Sequence, residues 1–298
     1  METFVVFDIG GTAIKHALMT KEGNILEEGS VPTPGQGNGE TIPLLASIIE
    51  AYKEKSPVSG IAMSVPGAIE VKSGYVYFMG AVTDLQHINI KHVLEERTGL
   101  PVEADNDVNC VALAEKWKGN AQDCENFVCV TVGTGIGGGI FINGDLYRGK
   151  HSMAGEFGLM TLHAEGELAQ LVQTHSFSQS ASTRSLIDNV ANKYPDADGK
   201  RVFELAAQGD EAALAAIDKF YTFLAIGLHN IVYSLAPEKI LLGGAISARE
   251  DFASRIRMNM KEIRPETAEL TEIDVCQFRN QAGKIGALYH FLKMRQLL

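Results

Sequence analysis

Three glycine-containing turns, each closing an apolar run, are the part of this chain best suited to chemistry: Asp8-Ile9-Gly10-Gly11-Thr12, Gly133-Thr134-Gly135-Ile136-Gly137-Gly138 and Leu242-Gly243-Gly244-Ala245. Glycine lets the backbone come close to a ligand, and successive N–H groups then form a concave anion site. Thr12 and Thr134 each add a hydroxyl donor. One such turn alone serves equally well as a tight bend. Their recurrence, with Asp8 ahead of the first, points to bound phosphate. A carboxylate there is poorly placed to touch phosphate directly; it would act through Mg²⁺ or its waters, or else only stabilise the turn. The G-x-x-x-x-G-K-[ST] pattern does not occur, which excludes a Walker-type loop. Gly133-x-Gly135-x-x-Gly138 has dinucleotide spacing, but the strand-like run Gly138–Ile142 follows where such a site requires a helix.

Two further stretches carry groups suited to an alcohol. Asn106 and Asp107 fall between a short strand and a helix. Asp107 there fits two roles: an N-cap, or a base that takes the proton of an attacking hydroxyl while Asn106 hydrogen-bonds the substrate. The stretch Arg148–Gly158 mixes polar groups with flexible backbone, and Glu156 in it is a candidate sugar or polyol ligand. His151 and His163 are isolated and read as mobile surface side chains. Cys110, Cys124, Cys129 and Cys276 form no C-x-x-C pair and read as buried free thiols.

The elements that must position these groups can be read from periodicity. Strands are expected at Phe4–Ile9, Ile14–Thr20, Gly60–Val65, Pro101–Ala104, Phe127–Val132, Gly138–Ile142 and Lys239–Leu242, with another after the turn at Lys21–Asn24. Helices are expected at Ile42–Lys55, Ile90–Thr98, Val108–Lys118, Ser182–Lys193, Val202–Gln208, Glu211–Leu235 and Gly283–Leu298. Thr33–Thr41 reads as a loop. The opening at Phe4 and the section from Phe127 share one order, strand, Gly/Thr turn, strand, polar turn. A repeat this long suggests two similar lobes.

The composition bounds the function. The chain has 298 residues, 45% hydrophobic and 21% charged, with a formal net charge of −11. That balance belongs to a globular protein and excludes disorder and collagen-like repeats. An acidic chain is ill suited to holding nucleic acid or anionic lipid as its main task, whereas a small anion can be held by backbone N–H groups. The start METFVVFDIGG has no basic leader, and no uninterrupted apolar run reaches the roughly 20 residues that span a bilayer. A cytoplasmic, reducing location is expected, with no membrane and no nucleic-acid partner.

Taken together, these motifs resemble the bacterial ROK sugar kinases. FDIGGTAIK resembles their first phosphate motif, SVPGAIE their substrate-side segment, and EADNDVNCVALAE the stretch bearing the catalytic aspartate. VTVGTGIGGGIFINGDLYRGKHSMAGEFG resembles the second phosphate motif running into the sugar-binding A-G-E, and LLGGAIS the adenosine-side motif. One departure is clear. Leu159 stands where most members carry a His, and His163–Ser182 has no cysteine, so the family's structural zinc site is not expected. The β-glucoside kinase branch shares this feature.

The resemblance implies an α/β, two-lobed actin-like ATPase (ribonuclease-H-like) fold. Residues 1–118 would form the substrate-side lobe and 119–298 the nucleotide-side lobe, with the terminal helix 283–298 packing back on the first. It implies ATP and Mg²⁺, with the nucleotide on Asp8, Gly10, Gly11, Thr12, Lys15, Gly133, Thr134, Gly135, Gly243 and Gly244. Asp8 would reach the metal through water or phosphate. The sugar would contact Gly67, Ala68, Asn106 and Glu156, and Asp107 would act as base on the 6-hydroxyl. Closure of the lobes would exclude water, the competing acceptor. A β-glucoside such as cellobiose is the expected substrate, and a homodimer the expected state. The alternatives are a glucokinase, an N-acetylmannosamine kinase or another hexose kinase of the family, and a sugar-sensing regulator. Regulators of the family carry a DNA-binding segment ahead of the first phosphate motif, which here begins by residue 8.

Overall fold

The computed structural model describes residues 2–35 and 37–298. Gln36, inside the expected Thr33–Thr41 loop, lies outside the described residues, as does Met1. In chain order the elements begin with β1 (Thr3–Ile9), β2 (Ala13–Thr20), β3 (Ile25–Pro32), α1 (Thr41–Lys53), β4 (Val58–Val65), β5 (Ala68–Glu70), β6 (Tyr75–Phe78), α2 (Ile90–Thr98), β7 (Val102–Asn106) and α3 (Asp107–Lys118). They continue with β8 (Phe127–Val132), β9 (Ile136–Ile142), β10 (Asp145–Tyr147), α4 (Leu171–His175), α5 (Phe177–Ala181), α6 (Thr183–Asp188), α7 (Gly199–Ala207) and α8 (Glu211–Leu235). The last are β11 (Lys239–Gly243), α9 (Phe252–Ile263), α10 (Thr267–Leu270), β12 (Glu272–Val275) and α11 (Ala282–Met294).

These elements make two compact units, one of Met1–Gln122, Leu146–Ala154 and Asn280–Leu298, the other of Asp123–Asp145 and Gly155–Arg279. Residues 146–154 thus belong to the first unit although they lie well past residue 118. The five-stranded sheets run β3-β2-β1-β4-β7 and β10-β9-β8-β11-β12. In each, the first long strand pairs antiparallel with the next and parallel with a later one. This duplicated ribonuclease-H-like topology is the actin-like ATPase fold. The sequence repeat between the Phe4 and Phe127 sections is its local signature.

In the first unit, period-two alternation along β1 sends Val5, Phe7 and Ile9 into a core shared with Leu45 and Ile49 of α1 and Ile90 and Leu94 of α2. The opposite face takes Phe4, whose ring lies 5.2 Å from that of Phe291 on α11. α11 also packs along α3, and there the backbones nearly touch: a Cβ on Gly286 would run into the Cys110 carbonyl. Asn89 caps α2, and Gly99 ends it in the left-handed region.

In the second unit, α8 is capped by Asp210 and stops at Ala236, ahead of Pro237. It is long and apolar enough to cross a membrane by length and composition alone, yet half of that window is buried inside the fold. Its neighbours are α5, α7 and α9, as befits a core helix. The expected helix Ser182–Lys193 is shorter, because the Asn189 amide donates to the Ser185 carbonyl and closes α6. α9, β12 and the β5–β6 hairpin lie outside the elements expected from periodicity. No disulfide joins the four cysteines, and Cys124 is only half-buried, not buried with the other three.

The α3–α11 contact gives a stability prediction. Gly286→Ala gains about 1 kcal/mol of helix propensity but sets its methyl against a backbone carbonyl that cannot swing aside. The variant is expected to be less stable by about 1–2 kcal/mol, as overpacked cores are. A lower urea midpoint at unchanged slope is the expected result, and an unchanged midpoint would show that the helices can separate at little cost.

Candidate active site

Strand register assembles the surroundings of Asp8. It sits opposite Lys15 on β2 and opposite Ser64 on β4. The Ser64 hydroxyl donates to Asp8 Oδ1 at 2.9 Å, and Lys15 Nζ lies 3.3 Å from Oδ2. The following turn is closed by Gly10 N–H donating to the Ala13 carbonyl at 3.0 Å, and the Thr33 hydroxyl donates to the Gly10 carbonyl at 2.6 Å. Gly11 and Thr12 are exposed at its tip. Magnesium characteristically takes one or two carboxylates and completes its shell with water and phosphate oxygens. Asp8, partly exposed beside a phosphate-type turn, fits that demand. Among the described residues no group of three or more His, Cys, Asp or Glu side chains gathers to hold a metal by itself.

The β7–α3 junction overturns the N-cap reading of Asp107. The N-cap is Asn106, whose Oδ1 accepts from Val108 N–H at 2.9 Å and Asn109 N–H at 3.0 Å. Its Nδ2 donates to the Gly67 carbonyl and to Asp107 Oδ1, both at 2.9 Å. The Asn106 amide is therefore engaged on both its nitrogen and its oxygen within the chain, and one of its bonds is to Asp107. Asp107 is the first residue of the helix, and its Oδ1 also accepts from Val108 N–H at 2.9 Å. Gly67, with φ +96, lies against the Phe78–Met79 backbone, a position open only to glycine.

Beneath the junction is a buried ionic cluster that sequence reasoning missed. Asp105 is fully buried; its Oδ1 accepts from Asn106 N–H at 2.8 Å and from the Asn109 side chain at 3.2 Å. Its Oδ2 pairs with Arg148 and faces His290 Nδ1 at 3.5 Å. Two residues earlier on the same strand face, Glu103 pairs with Lys91 and with Arg295, each at 2.7 Å. Nothing in local spacing could announce partners so distant in the chain.

In the second unit the β8 and β11 turns meet because their strands are parallel neighbours. Gly244, with φ +93, lies on the Val132 carbonyl. The Gly133 carbonyl accepts from Thr183 N–H at 2.8 Å, and Ile136 N–H donates to the Ser178 hydroxyl at 2.9 Å. These turns edge a cavity of about 870 Å³, lined by Gly133, Thr134, Ala245 and Ile246 and by Arg184, Asp188, Lys200, Phe203 and Arg249. The size suits a drug-sized or nucleotide ligand. The Arg249 guanidinium stacks 3.8 Å from the Phe203 centroid. Gly135 is exposed at the turn tip, and Gly243 is buried behind Gly244.

Glu156 follows Gly155, whose backbone (φ +92) lies on the Gly138 carbonyl. Gly138 thus serves to seat the Glu156 loop, not to form a dinucleotide fingerprint. Burial pushes the Glu156 carboxyl above the usual range. His151 is exposed, with its ring 5.2 Å from Tyr77. His163 is not a loose surface side chain: its ring centroid lies 4.0 Å from that of His175 and 5.4 Å from that of Phe223.

The buried cluster predicts a pH dependence. Burial pushes the His290 imidazole below its ordinary value and the Arg148 charge acts the same way, while Asp105 opposes them. The unfolded chain therefore takes up a proton near pH 6.5 that the folded chain still refuses. Stability should fall as pH drops below about 6.5. His290→Gln should flatten that part of a urea-midpoint profile, and an unchanged slope would assign the loss to other groups.

Comparison with known proteins identifies the family. The ROK family model matches residues 4–294. A β-glucoside kinase of Listeria monocytogenes is 36% identical over 289 residues, covering 96% of each chain. Among solved structures, a ROK family protein from Streptococcus pneumoniae in complex with sucrose is 35% identical, with TM-score 0.87 and coverage of 99% of this chain and 100% of that one. A ROK glucokinase from Streptomyces griseus in complex with glucose and AMPPNP is 28% identical, with TM-score 0.82 and coverage of 96% and 98%. With motifs, duplicated topology and near full-length matches in accord, this chain belongs to the ROK family.

Proposed function

We propose that the chain is an ATP-dependent sugar kinase that phosphorylates the 6-hydroxyl of a glucosyl unit, with a β-glucoside such as cellobiose as acceptor. The observation that carries the reading is the Asn106–Asp107 junction, where one amide both caps a helix and aims a carboxylate. The β-glucoside kinase of 36% identity supports the acceptor, and the sucrose complex of a relative supports room for a disaccharide.

In this reading Asp107 takes the proton of the 6-hydroxyl as that oxygen attacks the γ-phosphorus of ATP. The new O–P bond forms as the bond to the bridging oxygen breaks, and ADP leaves with that electron pair. The N–H groups and threonine hydroxyls of Gly10–Gly11–Thr12 and Gly133–Thr134–Gly135 would bind the phosphates, with the nucleoside in the cavity beside Gly243–Gly244. Lys15 would share its charge between Asp8 and phosphate. Asp8 would hold Mg²⁺ through water or phosphate, and the metal, when bound, neutralises charge on the phosphate oxygens. Gly67, Ala68 and Glu156 would hold the sugar ring, and Asn106 would contribute by fixing Asp107. The proposed setting is the cytoplasm and the proposed assembly a homodimer, with no structural zinc, no nucleic-acid partner and no membrane partner.

Two measurements test the reading. Asp107→Asn should still bind sugar yet lose at least about 100-fold in kcat, the scale of general-base catalysis; a kcat within a few-fold of wild type would remove Asp107 from that role. Comparison of kcat/KM for cellobiose and glucose should favour cellobiose, and a preference for glucose would reassign the chain to the glucokinases of the family.

A further inference from the structure

We propose that Phe78 is the seat of the group attached to the glucosyl unit, the second sugar ring or aryl aglycone of the acceptor; this deepens, and rests on, the kinase reading of the Asn106–Asp107 junction. Phe78 is 62% exposed, unusual for the last residue of a strand whose Val76 is fully buried. It is tied to the site by direct steps. Asn106 donates to the Gly67 carbonyl, the Gly67 backbone lies on the Phe78 carbonyl, and Phe78 pairs with Ala68 across the hairpin. Paired strands lie about 4.8 Å apart, so the Phe78 backbone stands one strand spacing from Ala68 in the segment assigned to the sugar. Just beyond, Ala81 packs on Gly11 of the first phosphate turn. Residues 78–81 therefore run from the sugar segment to the phosphate turn, with Phe78 at the sugar end.

The hairpin is braced from its other face. Strand alternation turns Tyr75 and Tyr77 away from Phe78, and their rings lie 5.1 Å apart, with His151 5.2 Å beyond Tyr77. His151 and Ser152 both have positive φ, 54° and 57°. Non-glycine residues keep such strain where the surroundings impose it, commonly beside ligands. The result is a fixed support with a bare aromatic face. That face suits the apolar side of a pyranose or an aryl ring, and offers nothing to a free hexose that ends at its own C1 hydroxyl.

The test compares wild type, Phe78→Ala and Phe78→Trp on glucose, cellobiose and phenyl β-glucoside. Phe78→Ala should lower kcat/KM for both glucosides about five- to ten-fold, mainly through KM, and leave glucose within about two-fold. Phe78→Trp should retain the glucoside preference. Equal losses on all three acceptors, or no loss on the glucosides, would overturn the seat while the kinase reading stands. A wild-type enzyme active on glucose but on neither glucoside would overturn the seat and the acceptor assignment together, and one active on no sugar would overturn the kinase reading as well.

Discussion

The amide of Asn106 is the interaction on which the β7–α3 junction depends. Its oxygen closes the first turn of α3, and its nitrogen joins the Gly67 carbonyl to the Asp107 carboxylate. One side chain thereby ties together a helix start, the segment ahead of the β5–β6 hairpin and the Asp107 carboxylate. Asp105 supports it from below by accepting from the Asn106 N–H, and is itself held by Arg148. A buried carboxylate is costly without partners, and a buried polar group that loses its partner costs more than the bond was worth. The cluster behind the site is therefore a constraint on geometry more than a source of stability.

Close backbone approach is the second recurring device. Gly286 lets α11 lie on α3, Gly67 lets one strand of the hairpin lie on the other, and Gly155 lets the Glu156 loop lie on β9. Each of these contacts puts main chain against main chain, so any side chain would have to displace a peptide group. The cost appears in the conformational entropy of unfolded glycine, and the gain is main chain packed directly on main chain.

This explains how an acidic chain can be suited to a polyanion. A net charge of −11 opposes ATP at long range. At short range the exposed turn tips at Gly11–Thr12 and Thr134–Gly135 present N–H groups, and Lys15, Lys200 and Arg249 are placed locally beside the first turn or around the cavity. Local dipoles and a few placed cations decide binding where contact is made.

Much of this was legible in the residues alone. The Phe4 and Phe127 repeats, the three glycine turns and α2 and α8 at their observed bounds follow from period, caps and turn chemistry, all of which act over a few residues. The Asn106–Asp107 pair is also visible, but its spacing offers Asp107 as the cap where the structure has Asn106, because the choice depends on where the Gly67 carbonyl arrives. Ser64 and Lys15 on Asp8 follow from strand register. Arg148 and His290 on Asp105, and the side chains around the nucleotide-sized cavity, come from segments far apart in the chain. By itself the sequence determined the elements, the turns and the family of chemistry, since those are short-range properties. Only the tertiary structure decided which polar group meets which, since a buried charge takes its partner from whatever the packing brings within reach.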